Sequence, residues 1–363
     1  MKEIIYDLEN INDSIRIYEK KRRTGNLLDE SELAVQYTVR AMFYFQNNMF
    51  NESLLDYNKC IDIMERLIGE HKSVNRNELA KAYAGRGIAY HAVGENEKAL
   101  PDISKSIDIW EHLQKKGQII KEGILFDMYI MRGKICNIMA DYMDYAISDF
   151  RNSIKIAEKL KMAGKPFDEN GLAQAYMGIA VSYDQKENFT EANKYYDKCI
   201  DIWEQLSSKG QSLIDKDNFA IAYMNRGSNY YVMEDSAKAL SDHNKCINIR
   251  YQLMIQGVEQ DAYYLSISFR NRALAFIIAN DYTSAIKDYT TAIRILKEKF
   301  NEEPGLQIIY YDTLAKLIDL IEYKDNKTLL SNILKEYLYS MRSIPKTEEA
   351  EEAQNNILSM QND

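Results

Sequence analysis

Proline and glycine are scarce. The 363-residue chain holds 4 prolines and 15 glycines, less than half of the roughly 12% that the two make up in an average protein. That excludes a turn-rich all-β protein and a collagen-like chain, and it leaves a mostly helical protein as the default. Cysteine is sparse as well: four residues, far apart and never in CxxC spacing, read as reduced thiols and not as a disulfide framework. No apolar run approaches the ~18 residues of a membrane span, and the opening MKEIIYDLEN is acidic where a secretory signal starts basic and turns apolar. The expected location is cytoplasmic, with no membrane partner. Positive charge is in deficit, 46 Lys and Arg against 55 Asp and Glu for a net −9, so no nucleic-acid partner is expected. Only two tryptophans accompany 27 tyrosines, an imbalance that packing has to explain.

What the chain has in abundance is repetition. Segments 33–45, 79–91, 125–137, 172–184, 219–231 and 265–277 are copies of one unit, with starts spaced 46, 46, 47, 47 and 46 residues apart. Each copy runs into a second helical segment marked by Ile61, Ile107, Ile154, Ile200, Ile247 and Ile293, with a further isoleucine two residues later at 63, 109, 156, 202, 249 and 295. Positions i and i+2 lie about 200° apart on a helix, so this second helix needs apolar contacts on two faces. Small residues open it (Ser53, Ala99, Ala146, Ala192, Ala239, Ala285), leaving room for the first helix. Tyr37, Tyr83, Tyr129, Tyr176, Tyr223 and Phe269 fill the gap from the first helix. Much of the tyrosine excess is thus one position copied along the chain.

Two charged positions recur together. Arg40, Arg86, Arg132, Arg226 and Arg272 sit in the first helix and Asp56, Asp102, Asp149, Asp242 and Asp288 in the second, and only the fourth copy departs, with Ile179 and Tyr195. Joint loss in one copy predicts an Arg–Asp pair within each repeat. Cys60, Cys199 and Cys246 share a position filled elsewhere by Ser106, Ser153 and Ala292, which marks them as small core residues. The four histidines are scattered, His243 at a core aromatic position. No HExxH, phosphate-binding glycine loop or GxSxG turn occurs. The sequence predicts no enzyme, no metal and no cofactor.

The unit resembles the tetratricopeptide repeat. Its aromatic, small and aromatic positions in the first helix and its Ala in the second are Tyr83, Gly87, Tyr90 and Ala99 in the second copy and Tyr223, Gly227, Tyr230 and Ala239 in the fifth. The resemblance implies an all-α, right-handed α-solenoid of helix–turn–helix repeats. It departs from the family's 34-residue period: the closing Pro is replaced by Glu65, Glu111, Glu158, Glu204, Tyr251 or Lys297, and the helix runs on to Gly25, Gly117, Gly164, Gly210 or Gly257. Asp29, Asp168, Asp215 and Asp261 stand ready to cap the next first helix. The organisation expected is a capping half repeat over 1–32, six extended repeats over 33–300, and over 301–363 a degenerate seventh pair followed by an acidic helix at 346–361.

The resemblance further implies a protein or peptide partner bound on a concave wall of first helices. Carried over residue by residue, that wall begins with Val35, Thr38, Met42, Phe45 and Gln46, then Lys81, Ala84, Ile88 and His91. It continues through Lys134 and Asn137, Met177 and Asp184, and Met224 and Tyr231, to Ile267, Arg270, Leu274 and Ile277. The Lys and Asn set that clamps a C-terminal carboxylate in chaperone-binding members is not matched, since Thr38, Ala84, Met177, Val181 and Leu274 hold its places. Apolar anchors concentrate in the fifth and sixth copies, unless neighbouring first helices close over them. The function implied is a scaffold or adaptor, or alternatively a peptide-responsive sensor that changes superhelical shape. Oligomeric state is not readable.

Overall fold

The computed structural model describes residues 8–24, 30–118, 120–210, 215–257, 261–299 and 306–324. These residues form fourteen α-helices and no strand. The fold class is the all-α helical-repeat solenoid expected. The chain divides into two compact units, Met1–Asn188 and Phe189–Asp363, so the division falls inside the fourth repeat.

The first unit comprises α1 (Leu8–Arg23), α2 (Glu30–Gln46), α3 (Phe50–Gly69), α4 (Arg76–Ala92), α5 (Asn96–Lys115), α6 (Glu122–Ile138), α7 (Met143–Met162) and α8 (Glu169–Gln185). The second comprises α9 (Phe189–Ser208), α10 (Lys216–Val232), α11 (Ser236–Ile255), α12 (Asp261–Ile278), α13 (Tyr282–Lys299) and α14 (Leu306–Tyr323). A hairpin such as α4 and α5 pairs a 17-residue first helix with a 20-residue second one, so both helices are long enough to account for the extended period. The turn within it is closed by a left-handed residue, Asn48, Gly94, Glu187, Glu234 or Asn280 in different copies. The third copy uses a 3-10 turn, Ala140–Tyr142, in its place.

The predicted glycine stops are present: Gly117, Gly164, Gly210 and Gly257 all take positive φ, between 64° and 80°. Capping is less uniform than the sequence implied. Asp215 accepts from the backbone N–H of Asn218, and Asn75 performs this task in the second copy. Asp168 stands at the N-cap of α8 but makes no cap bond. Its carboxylate lies over Gly171, where an added Cβ would come within 2.6 Å of Oδ2. Gly25, Asp29 and the 346–361 helix lie outside the described residues, as does the second half of the seventh pair.

The core follows the two-faced isoleucine pattern. The first isoleucine of each pair is buried in all six copies; the second is buried at Ile63 and partly buried in the other five, and Ile109 reaches the cluster of the preceding repeat. The helices α1 and α14 obey the same rule. Ile11 and Ile15 of α1 are buried, but Ile17, which on later copies meets the preceding repeat, is 55% exposed. Among the described residues nothing precedes α1 to cover it. At the other end α14 buries Tyr310, Tyr311, Leu314 and Leu317 in one cluster with Tyr289 and Ile293 of α13.

Candidate functional site

The recurring charges are structural. Each repeat arginine grips the aspartate of its own copy through Nε and Nη2, at 2.5–2.9 Å, in the pairs Arg40–Asp56, Arg86–Asp102, Arg132–Asp149, Arg226–Asp242 and Arg272–Asp288. This is the bidentate geometry that suits a guanidinium. The aspartates are buried, none more than 5% exposed. The third nitrogen, Nη1, was not anticipated. It donates to the preceding repeat, to Asn12, Asn58, Ser104, Asp197 and Asn244 in turn. One guanidinium therefore ties hairpin to hairpin. In the fourth copy the arginine has moved: Ile179 replaces it, and the preceding second helix carries Arg151 at the acceptor position, donating to the Tyr183 hydroxyl at 3.3 Å.

The repeated tyrosine carries a second link. Tyr37, Tyr83, Tyr129 and Tyr223 donate to Glu19, Glu65, Glu111 and Glu204 of the preceding second helix, the position where the family has its closing Pro. Burial first, and then the carboxylate, push these hydroxyl pKa values up. Where the tyrosine becomes Phe269 the glutamate becomes Tyr251, and the two rings meet edge to face at 6.1 Å. The hydroxyl is thus the reason for Tyr, and it was legible only in that joint departure.

Several predicted wall residues are already engaged. Lys134 donates to Gln174 at 2.8 Å, and Asn137 donates to the Gly178 carbonyl and accepts from Ser182, joining α6 to α8. His91 meets Asn96 across its own hairpin turn at 2.7 Å, and exposed Lys81 pairs with Glu78. Arg270 reaches Asp312 on α14 at 2.5 Å. Ile277 packs onto the cluster around α13 and α14. Met177, Asp184, Met224, Tyr231, Ile267 and Leu274 stay half-buried. The first helices are therefore close enough to bridge, but they do not seal the wall.

One stretch of wall is hollow. Between α2 and α4 lies a pocket of about 300 Å³. Its mouth is formed by Met42, 49% exposed, with Gln46 and Lys81, and its sides by Phe45 and Ile88. Tyr57, Ala84 and Trp110, all at most 5% exposed, make the floor. Met42, Phe45, Gln46, Lys81, Ala84 and Ile88 are all on the wall read from the sequence. The hollow sits in the first two copies. Its depth comes from the second helices, through Tyr57 and Trp110, and from Gly85, none of which the wall pattern includes. The available signal was glycine opposite a ring 28 residues earlier, Tyr57 with Gly85 and Phe150 with Gly178.

A further hollow of about 700 Å³ opens at the start of α6, lined by Gly123, Phe126, Asp127, Leu160, Phe167 and Asp168. In the second copy the corresponding positions are filled by Trp110, whose Nε1 donates to Asn77 at 2.8 Å. The third copy has Ala157 and Gly123 there.

These are helical hairpin repeats of the all-α solenoid class, joined by links through arginine and tyrosine. One copy matches the tetratricopeptide repeat, and the fold of the described residues is the helical-repeat fold of tetratricopeptide-repeat proteins. The family model of that repeat matches residues 172–210, the copy that lacks the chain's own Arg–Asp pair. The fold resembles the C-terminal part of a tetratricopeptide-repeat-containing protein from Cytophaga hutchinsonii, with a TM-score of 0.52, 17% identity, and coverage of 87% of this chain and 98% of that one. It also resembles a signal-transduction ATPase with a tetratricopeptide repeat sensor from Pyrococcus horikoshii, with a TM-score of 0.59 and 15% identity; 93% of this chain aligns, but it spans about half of that protein (49%). The apo form of RapI gives a TM-score of 0.52 at 13% identity, covering 89% and 98% of the two chains. No curated protein matches the sequence.

Proposed function

We propose that this chain is a non-catalytic scaffold or adaptor that holds a protein or peptide against its first helices. The observation that carries this reading is the apolar pocket between α2 and α4, which lies on the wall that the resemblance to tetratricopeptide repeats assigns to ligand. A cavity with apolar sides and polar groups at its mouth suits one anchoring side chain of an extended or helical segment. In the second unit the half-buried Met224, Tyr231, Ile267 and Leu274 offer an apolar strip of the same kind.

Two chemical facts support the absence of catalysis. All four cysteines are buried and free, and burial holds their thiols protonated, Cys60 at about 12 and Cys136 at about 11. His243 is enclosed and kept neutral. Free buried thiols fit a cytoplasmic location, and the net charge of −9 disfavours nucleic acid. Among the described residues no helix is long and apolar enough to cross a membrane.

Selection of peptides from a random library on the intact chain tests the reading. Peptides recovered on the wild type are expected to lose at least tenfold in affinity on Met42→Asp, or on Tyr231→Ala with Leu274→Ala, while thermal stability is kept. Equal binding to all three proteins would remove the groove as the site. A change in small-angle scattering radius on binding would mark a sensor; an unchanged radius marks a passive scaffold.

A further inference from the structure

Resting on the reading of the α2–α4 pocket as a binding surface, we infer that it selects a side chain with an apolar body and a polar tip, a phenol, through the unpaired hydroxyl of Tyr57. Tyr57 is 4% exposed, and among the described residues its hydroxyl has no hydrogen-bond partner. The chain supplies its own control. Tyr196 holds the same repeat position in a later copy, and its hydroxyl accepts from Asn225 Nδ2 at 3.1 Å. The residue that corresponds to Asn225 is Gly85.

That glycine acts twice. It removes the partner, and it makes room: a Cβ at Gly85 would stand 2.2 Å from Tyr57 Cζ and 2.3 Å from its hydroxyl oxygen. The end of the ring therefore crosses the α4 backbone at Gly85 and arrives in the cavity. The other polar group of the floor is committed, since Trp110 Nε1 donates to Asn77 at 2.8 Å. Burial pushes the Tyr57 pKa up, so the group stays a neutral hydroxyl able to donate and to accept.

The ligand chemistry follows. A purely alkyl or phenyl side chain would fill the 300 Å³ and bury the Tyr57 hydroxyl without a partner, which is penalised. A phenol supplies apolar surface to Phe45 and Ile88 and brings an O–H to the floor. The occupant is a tyrosine side chain of a peptide partner.

The experiment uses the intact protein and two small probes, p-cresol and toluene, with binding followed by calorimetry or ligand-observed NMR. A dry apolar pocket prefers toluene, because the phenol must shed water to enter. The wild type is expected to prefer p-cresol by roughly five- to tenfold, and Tyr57→Phe to reverse that order while still binding toluene. Gly85→Asn puts a Cβ where the end of the Tyr57 ring now lies, so the ring must move; the variant is expected to lose both probes, with circular dichroism checking that it still folds. Toluene preferred by the wild type would overturn the phenol assignment and leave the apolar pocket standing. Binding of neither probe would overturn both the assignment and the reading of this pocket as a binding surface.

Discussion

Arg250 donates from Nη1 to the carboxylate of Asp217 in the place where, three copies earlier, Trp110 donates from Nε1 to Asn77. Both are buried donors on a second helix meeting an acceptor in the first turn of a first helix, and Arg250 is only 1% exposed. Its guanidinium also lies over the Tyr264 ring at 4.5 Å. Asp217→Ala removes the carboxylate that Arg250 Nη1 donates to and is expected to cost about 2 kcal/mol. Arg250→Trp together with Asp217→Asn imports the second-copy pair and should recover most of that loss in urea denaturation. A double variant as unstable as the single one would show that the two donors are not equivalent.

The Arg–Asp clamp predicts strong coupling between its members. In the second copy Asp102→Ala leaves Arg86 with Asn58 as its hydrogen-bond acceptor and the Tyr83 ring beneath it, at an expected cost of about 2–4 kcal/mol. Arg86→Ile with Asp102→Tyr transplants the fourth-copy residues Ile179 and Tyr195. A double-mutant cycle on Arg86 and Asp102 should give a coupling of at least about 1 kcal/mol. Additive costs would show that the clamp contributes no pairwise stability.

His243 makes stability depend on pH. Its ring is fully buried and neither nitrogen has a hydrogen-bond partner among the described residues. Burial, helped by Arg272, lowers its pKa from 6.5 to about 4. Below pH 6.5 the unfolded chain binds a proton there that the folded chain refuses, so stability falls as the pH drops and stops falling from this source near pH 4. The full loss is about 3 kcal/mol. His243→Tyr restores the residue type of Tyr196, with Asn271 at the position from which Asn225 serves that hydroxyl. The variant should melt higher and show a flatter pH profile between 4 and 6.5. An unchanged slope would locate the acid sensitivity elsewhere.

What the sequence revealed and what it hid divide along physical lines. The Arg–Asp pairs were legible because both members vanish together at Ile179 and Tyr195, so a contact left its trace in one chain. The third arginine bond was not, because its acceptors, Asn12, Asn58, Ser104, Asp197 and Asn244, are of three residue types that share only a side-chain oxygen able to accept a hydrogen bond. The wall was legible as positions, since helical periodicity fixes which residues share a face. Whether a wall position is open or bridged depends on a helix some 40 residues away, as Lys134 and Gln174 show. The pocket was hidden for the same reason. It is made by a side chain missing at Gly85 and by a ring arriving from another helix.

The tyrosine link gives the last prediction. Tyr83 donates to Glu65, and Lys105 reaches both, at 3.0 Å to the hydroxyl and 3.3 Å to the carboxylate. Tyr83→Phe removes the central hydroxyl and leaves a half-exposed carboxylate that retains Lys105, so its cost should be modest, about 1 kcal/mol. Adding Glu65→Tyr recreates the edge-to-face arrangement of Tyr251 and Phe269, which contributes through ring contact in place of the hydrogen bond. The double variant is therefore expected to regain the loss in thermal melts and to become less sensitive to salt, because the Lys105–Glu65 pair is gone. A Tyr83→Phe variant as stable as the wild type would mean that the repeated hydroxyl does not hold neighbouring hairpins together, and the preference for tyrosine over phenylalanine along this chain would need another cause.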